Sequence, residues 1–407
     1  MRCGLLGEKL GHSYSPAIHA MLADYDYRLY EKQPGELEDF LLRGGWDGLN
    51  VTIPYKRAVM PYCAELSGTA RRCGSVNTLI RLPGGGIRGE NTDADGFAYL
   101  LRSLGFDPAG KKAVILGSGG AAATVRAVLE EQGAREIVTV SRSGKDNYEN
   151  LSRHADASLV VNATPVGMFP HNGTAAASPA LFPRCEAAAD LIYNPARSAF
   201  LMEAEALGIP CANGLGMLVA QAKRSCELFL DTAIPDGEIA RVEGELSRGM
   251  RNIVLIGMPG CGKSTVGRLL AEKTGRGFCE PDALVEAEAG LSIPEIFRLE
   301  GEEGFRSRET KALAALGRLS GKVIATGGGC VTRGENYPLL HQNAVIVWLR
   351  RELGKLPKEG RPLSLRSDPG ELYERRRPYY ERFADFVVSN DGAPEETARL
   401  ILEKLDL

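Results

Sequence analysis

The sequence predicts an α/β protein of more than one domain, and three observations predict it. Residues Lys112-Ala-Val-Ile-Leu-Gly117-Ser-Gly119-Gly-Ala-Ala122 read as a strand, a glycine turn and the start of a helix. Ile253-Val-Leu-Ile256 followed by Gly257-Met-Pro-Gly-Cys-Gly-Lys263-Ser264 repeats that plan later in the chain. A length of 407 residues exceeds what one core usually serves. Short apolar runs that alternate with helical segments imply parallel sheets with covered faces.

Composition narrows the class. Hydrophobic residues make up 44% and charged residues 25%, as in a globular protein. A net charge of −3 gives no electrostatic case for nucleic acid or an acidic membrane as partner. No apolar run approaches the ~20 residues of a membrane span, and the first residues lack the apolar core of a signal peptide. The nine cysteines are scattered and form no C-x-x-C pair, which points to reduced thiols in a cytoplasmic protein and away from a zinc site. The five histidines show no ligand spacing, so His12 and His19 read as local hydrogen-bonders.

In chain order, a strand is expected over Arg2 to Leu6. Ser13 and Ser15 precede or enter a helix opened by Pro16; they either cap it or offer two hydroxyls to a small polar ligand. A helix over Ala17 to Leu22, a strand over Tyr27 to Tyr30 and a helix over Leu37 to Arg43 follow. Asp47-Gly-Leu-Asn-Val-Thr-Ile-Pro-Tyr-Lys56 reads as a strand ending at Pro54, with Lys56 just beyond it. Gly74-Ser-Val-Asn-Thr78 and Gly89-Glu-Asn-Thr-Asp93 set amides, hydroxyls and a carboxylate on loops, where function concentrates.

The glycine turn after Leu116 has the form G-x-G-x-x-A and precedes a helix reaching about Gln132, with a second strand over Glu136 to Val140. That βαβ unit suits a dinucleotide, with Gly117, Ser118, Gly119, Gly120 and Ala121 at the pyrophosphate. An NAD site would place an acid at the end of the second strand. Ser141-Arg142-Ser143 stands there instead, a guanidinium and two hydroxyls that suit a 2′-phosphate and hence NADP. Further strands are expected over Leu159 to Asn162 and Ala189 to Ile192, and a helix opens after Asn213-Gly214. A short charged helix starts near Pro235 and ends near Arg248.

The second glycine loop fits G-x-x-x-x-G-K-[ST] between a strand and a helix. Pro259, Gly260, Cys261, Gly262 and Thr265 would cradle the phosphates of ATP. Lys263 would reach the outer phosphates, and Ser264 would hold Mg²⁺. Arg276 to Asp282 reads as a strand ending in two acids, Glu280 and Asp282; phosphoryl transfer uses carboxylates beside such a loop. A helix carries Glu302 to Arg306, a strand over Lys322 to Ala325 ends in Thr326-Gly-Gly-Gly329, and another strand covers Val345 to Leu349. Charged residues 350–367 read as a mobile flap, and Tyr373-Glu-Arg-Arg-Arg-Pro-Tyr-Tyr380 begins a basic helix.

Taken together, S-x-S-P, N-V-T-I-P-Y-K, G-S-V-N-T and G-E-N-T-D, in this order, resemble the shikimate dehydrogenase family from residue 1 to about 245. The resemblance implies that Ser13, Ser15, Thr52, Asn77, Asp93 and Gln221 hold the substrate and that Lys56 and Asp93 form the catalytic pair. It also brings Tyr193 near the substrate, and Gly214 and Met217 to the cofactor, with core packing an equal reading for Met217. From about 251 to 407, the G-F-R, G-G-G, G-R-P-L and R-x-P-x-Y patterns resemble shikimate kinase. By that resemblance Asp282 takes the hydroxyl proton, Arg306 and Arg376 clamp a carboxylate, Gly328 and Gly329 line the substrate, and Arg361 meets the transferring phosphate. The chain departs from the kinase pattern in having Glu280 where the family has aspartate, still able to serve Mg²⁺. The segment before Arg361 is short and lacks an adenine-stacking arginine.

The expected organisation is a substrate domain over 1–95 completed by helices from 214–248, a Rossmann NADP domain over 96–213, and a P-loop kinase domain with a parallel sheet over 251–407. The expected function is NADPH-dependent reduction of 3-dehydroshikimate to shikimate, then phosphorylation of shikimate by ATP with Mg²⁺. Two alternatives stand beside it: one half is a non-catalytic sensing module, or the dehydrogenase acts on quinate, since one added hydroxyl changes few contacts. The catalytic positions are all filled, which favours two enzymes.

Overall fold

The computed structural model describes residues 1–11, 13–356 and 368–407. His12, Arg361 and most of the expected flap therefore lie outside the described residues. The chain forms two compact units: one of Met1–Gly167, Thr174–Tyr193 and Phe200–Glu245, the other of Met168–Gly173, Asn194–Ala199 and Leu246–Leu407.

The first unit begins β1 (Arg2–Gly7), α1 (Ser15–Leu22), β2 (Asp26–Glu31), α2 (Leu37–Arg43), β3 (Gly48–Val51), β4 (Glu65–Leu66), α3 (Gly68–Cys73), β5 (Thr78–Arg81), β6 (Ile87–Glu90) and α4 (Asp93–Ser103). Its six strands lie in the order β2-β1-β3-β5-β6-β4, and antiparallel pairing of β5 with β3 and β6 makes the sheet mixed. The chain continues with β7 (Lys112–Leu116), α5 (Gly120–Glu131), β8 (Glu136–Val140), β9 (Leu159–Asn162), β10 (Ala187–Asp190), α6 (Ala199–Ala206), β11 (Cys211–Ala212), α7 (Leu215–Leu230) and α8 (Gly237–Met250), whose residues from Leu246 count with the second unit. These five strands run parallel in the order β11-β10-β9-β7-β8. The chain reverses its direction of travel across the sheet between β7 and β9, the crevice where doubly wound sheets bind ligands. β7 is buried along its whole length, as expected for a central parallel strand covered on both faces.

The second unit contains β12 (Asn252–Ile256), α9 (Lys263–Thr274), β13 (Gly277–Cys279), α10 (Pro281–Ala289), α11 (Ile293–Gly317), β14 (Lys322–Ala325), α12 (Asn336–His341), β15 (Ala344–Arg350), α13 (Pro369–Phe383), β16 (Phe386–Ser389) and α14 (Pro394–Leu405). The strands are parallel in the order β13-β14-β12-β15-β16. β12 is central and wholly buried, with Val254, Leu255 and Ile256 packed among Val266, Leu270, Ile324 and Ile346. α11 starts with a capping box between Ser292 and Glu295 and bends at Gly301, whose φ is 72°.

Several expected boundaries move, each for a local reason. Tyr14, not a serine, is the N-cap of α1, and neither Ser13 nor Ser15 caps it; the Ser15 N–H donates instead to Ser13 Oγ (3.2 Å). β3 stops at Val51 rather than Pro54, because Tyr55 N bonds Thr52 O (2.9 Å) and turns the chain. β10 runs two residues earlier than expected, ended where the Asp190 carboxylate accepts from Ile192 N (3.0 Å). β13 ends at Cys279, since Pro281 opens α10; Asp282 thus sits in the first turn of a helix and not on a strand. His19 is the local hydrogen-bonder expected: Nδ1 meets Tyr25 Oη at 2.6 Å, the ring stacks on Tyr27, and burial pushes its pKa down to about 3.

Candidate active sites

In the first unit the turn after β3 and the start of α4 converge. Lys56 Nζ donates to Asp93 Oδ2 at 2.5 Å, and Asn77 Nδ2 donates to Asp93 Oδ1 at 2.9 Å. Asn77 is itself fixed, its Oδ1 accepting from Thr92 N at 2.7 Å. Gln221, from α7, turns its Oε1 toward Asn77 Nδ2 (3.5 Å) and Thr92 Oγ1 (3.4 Å). The pair is partly exposed (side chains 25% and 14%), so an ammonium and a carboxylate border an accessible surface.

Behind them lies a buried hydroxyl cluster that the sequence did not announce. Ser225 Oγ accepts from Asn50 Nδ2 (2.7 Å), lies 3.0 Å from the hydroxyls of Thr78 and Thr92, and donates to Gln221 O (3.0 Å). Asn50 Oδ1 in turn accepts from Tyr27 Oη (2.9 Å), and Tyr27 also bonds Ser15. The cluster thus ties the serine end of the site to the Lys56–Asp93 end. The signal for Ser225 was its place one helical turn after Gln221 on α7. Tyr193 meets Tyr14 edge-on at 5.9 Å, which sets it beside Ser13 and Ser15; Thr52 packs against Gly7 at the end of β1.

The dinucleotide turn has the expected form. Gly117 takes φ 107°, and its Cα faces Ala163 O and Thr164, leaving no room for a side chain. Gly119 is the N-cap of α5, with Gly120 and Ala121 in the first turn, so free N–H groups face outward past Ser118. Because Leu116 pairs with Val140, the end of β8 delivers Ser141, Arg142 and Ser143 beside this turn. Arg142 is exposed and makes no ion pair among the described residues. The donors fit a phosphorylated dinucleotide. Gly214 caps α7, whereas Met217 is buried in the core with Ala94 and Phe97; packing is the role visible for it.

In the second unit one cavity of about 580 Å³ gathers nearly all the remaining candidates. It is lined by Pro259, Gly260, Gly262, Lys263, Ser264 and Thr265 of the loop, by Glu280 and Asp282, and by Arg306, Gly328, Gly329 and Arg376, with Gly328 against Pro259. Cys261 is buried behind the loop. Gly262 has φ 98° and faces Asn390, whose Nδ2 donates to Cys261 O (2.7 Å) and locks the loop. Lys263 Nζ is folded onto Gly257 O (2.9 Å) and Met258 O (3.0 Å). Ser264 Oγ donates to Glu280 Oε1 (2.6 Å), and Arg268 holds the other carboxylate oxygen (2.8 Å). A hydroxyl beside a carboxylate is a hard oxygen donor set that fits Mg²⁺ completed by water and phosphate.

Asp282 Oδ1 is buried without a hydrogen-bond partner among the described residues, and burial raises the pKa of this carboxyl against the pull of Lys263 and Arg306. A buried acceptor left free inside a cavity is suited to take a proton. Arg376 Nη1 and Tyr380 Oη both donate to Gly328 O (3.2 and 2.6 Å), and the Arg306 guanidinium lies against the Gly329 Cα, so a side chain there would displace it. Glu309, absent from the sequence-based set, is fully buried and accepts from Arg306 Nη1 at 2.6 Å. Its position three residues after Arg306 on one helix was the available signal. Burial raises its pKa, opposed by Arg306. Ile293, Pro294, Phe297 and Phe305 add an apolar wall, also unforeseen.

Comparison with known proteins finds relatives for both parts of the chain. A family model for the shikimate dehydrogenase substrate binding domain matches residues 5–79, and one for shikimate kinase matches residues 259–406. The chain is 39% identical over 269 residues to shikimate dehydrogenase (NADP(+)) of Methanopyrus kandleri, covering 57% of this chain and 91% of that protein. It is 43% identical over 165 residues to shikimate kinase of a Synechococcus strain, covering 38% of this chain and 82% of the relative. Among solved structures, the chorismate mutase/shikimate 5-dehydrogenase fusion protein of Clostridium acetobutylicum aligns with a TM-score of 0.57 at 35% identity, covering 60% of this chain and 96% of that one. Shikimate 5-dehydrogenase of Thermus thermophilus, solved with NADP(H) and shikimate, gives 0.55 at 30% identity, covering 60% and 99%. The chain therefore belongs to the shikimate dehydrogenase family through its N-terminal part and to the shikimate kinase family through its C-terminal part.

Proposed function

We propose that this chain catalyses two successive reactions: reduction of 3-dehydroshikimate to shikimate with NADPH, and phosphorylation of the shikimate 3-hydroxyl with ATP and Mg²⁺. Residues 1–95 with 214–248 form the dehydrogenase substrate domain, 96–213 the NADP domain and 251–407 the kinase. The observation that supports the reading is that Lys56 meets Asp93 in one unit while Lys263, Asp282, Arg306 and Arg376 line one cavity in the other; the alcohol made at the first site is what the second would accept.

In the dehydrogenase, the reduced nicotinamide supplies the hydride. Lys56 gives a proton to the carbonyl oxygen as negative charge develops there, and Asp93 holds the ammonium in place. Asn77 and Gln221 orient Asp93 and the substrate hydroxyls, while Ser13, Ser15, Thr52 and Tyr193 close the other end. Arg142 with Ser141 and Ser143 receives the 2′-phosphate. In the kinase, Arg306 and Arg376 bind the acceptor's carboxylate, and Asp282 takes the hydroxyl proton as the oxygen attacks the terminal phosphorus of ATP and ADP leaves. Lys263 neutralises the outer phosphates, and Ser264 with Glu280 holds Mg²⁺.

One assay tests the whole: 3-dehydroshikimate with NADPH and ATP, following NADPH loss and shikimate 3-phosphate formation. Lys56→Ala removes reduction and spares phosphorylation of added shikimate; Lys263→Ala does the reverse. Loss of both activities from either change, in a folded chain, would refute independent sites. We assign the protein to the cytoplasm on its nine scattered cysteines, which form no C-x-x-C pair.

A further inference from the structure

The cations around the kinase cavity differ in how they are satisfied. Lys263 is bonded to two loop carbonyls, Arg306 to Glu309 and Arg376 to Gly328 O. The Nε atoms of Arg306, Arg376 and Arg351 are alike buried without a hydrogen-bond partner, but Arg351, which lines the same cavity, makes neither an ion pair nor a side-chain hydrogen bond among the described residues. A guanidinium cannot shed its charge, so a donor left unpaired at a cavity wall is a site for an oxyanion.

The backbone fixes which part of the cavity it serves. Arg351 directly follows β15. The carbonyl of Leu349 abuts the Cα of Gly257, the first residue of the phosphate loop. Asn390 clamps the same junction, its N–H donating to Arg350 O (2.7 Å) and its amide to Cys261 O (2.7 Å). The strand end that carries Arg351 is thus held against the phosphate loop. Glu309, Asp282 and Gly327, by contrast, meet on the acceptor side, where both carboxylates crowd the Gly327 Cα.

We propose that Arg351 is a nucleotide ligand: its guanidinium binds the phosphates that ATP and ADP share. This rests on the reading that the loop binds ATP, and deepens it by supplying a cationic contact from β15, where the short segment that follows lacks an adenine-stacking arginine.

The test uses the full chain with Arg351→Met, Arg351→Lys and Lys263→Ala, titrated with MgADP by calorimetry and assayed for kinase kinetics. One or two charge-assisted bonds are at stake, so Arg351→Met should weaken MgADP about tenfold to a hundredfold and raise KM for ATP in parallel. The kcat should change less than about threefold and KM for shikimate less than about twofold, because the contact is present before and after transfer. Arg351→Lys should fall between, a point charge replacing a fork. It also guards against a Met variant that fails to fold, and the dehydrogenase rate of the same chain reports intactness. If Lys263→Ala weakens MgADP while neither Arg351 variant does so by more than about twofold, the proposal is wrong and the loop reading stands. If Arg351→Met raises KM for shikimate instead, the residue serves the acceptor and the proposal is overturned. If no variant alters MgADP binding, the loop reading fails as well.

Discussion

Replacing Glu309 by alanine should damage the kinase in two separable ways. The Arg306 guanidinium and the Glu309 carboxylate are almost fully buried, at 6% and 0% side-chain exposure, and meet at 2.6 Å. The other ion-pair partner of Arg306 among the described residues is Glu302, at 3.5 Å and 59% exposed, which is too distant and too solvated to compensate. Removing one member of a buried pair leaves an unpaired charge and costs about 3–5 kcal/mol. A unit of this size loses about 2–4 °C of melting temperature per kcal/mol, so the kinase transition should fall by roughly 6–20 °C. The second effect is on binding. Glu309 fixes the guanidinium over Gly329, and without it KM for shikimate should rise about tenfold or more, an effect expected of a lost charge-assisted bond. Scanning calorimetry and steady-state kinetics on the full chain measure both, and the dehydrogenase rate serves as an internal control. Glu309→Gln, which keeps the shape and one acceptor, should lie between. A melting shift below about 2 °C together with an unchanged KM would refute the argument.

Three further outcomes follow from the geometry. Ser225→Ala removes the centre of the buried hydroxyl cluster and strips a 2.7 Å acceptor from Asn50; it should cost about 1–3 kcal/mol and lower kcat/KM for 3-dehydroshikimate reduction, with phosphorylation unchanged, as read from urea unfolding and the two rates. The kinase rate should decline with acid at a pH above the ordinary carboxylate value of about 3.9, because burial raises the pKa of Asp282 and only its ionised form accepts the proton. The same shift has the opposite sign for stability: a pKa above the unfolded value favours the folded chain in acid, and that contribution is lost as pH rises through it. A pH–rate profile alongside Asp282→Asn, which should be inactive throughout, checks the assignment. Arg142→Ala should raise KM for NADPH about tenfold or more and leave NADH unchanged, since only one of the two carries the 2′-phosphate.

Much of the molecule was legible in the chain because its cues are local. Apolar runs marked β7, β8, β9 and β14, and the two glycine loops marked where α5 and α9 begin. The quartet of motifs before Asp93 supplied Lys56, Asn77 and Asp93, which the fold joins by direct hydrogen bonds. Errors came where a side chain, rather than backbone propensity, ended an element: Asp190 closing β10, and Pro281 turning Glu280–Asp282 from a strand end into a helix start.

What the sequence by itself determined, then, is the class of chemistry. Residue types at fixed spacing in a strand–loop–helix frame dictate which ligand groups the backbone can meet. What only tertiary structure decided is how the charges are shared. Glu309 neutralises Arg306, Ser264 meets Glu280 across sixteen residues, Ser225 joins Asn50 across 175, and Arg351 is left without an ion-pair partner among the described residues. Electrostatic satisfaction depends on distance and desolvation in three dimensions, and neither can be read from spacing along a chain.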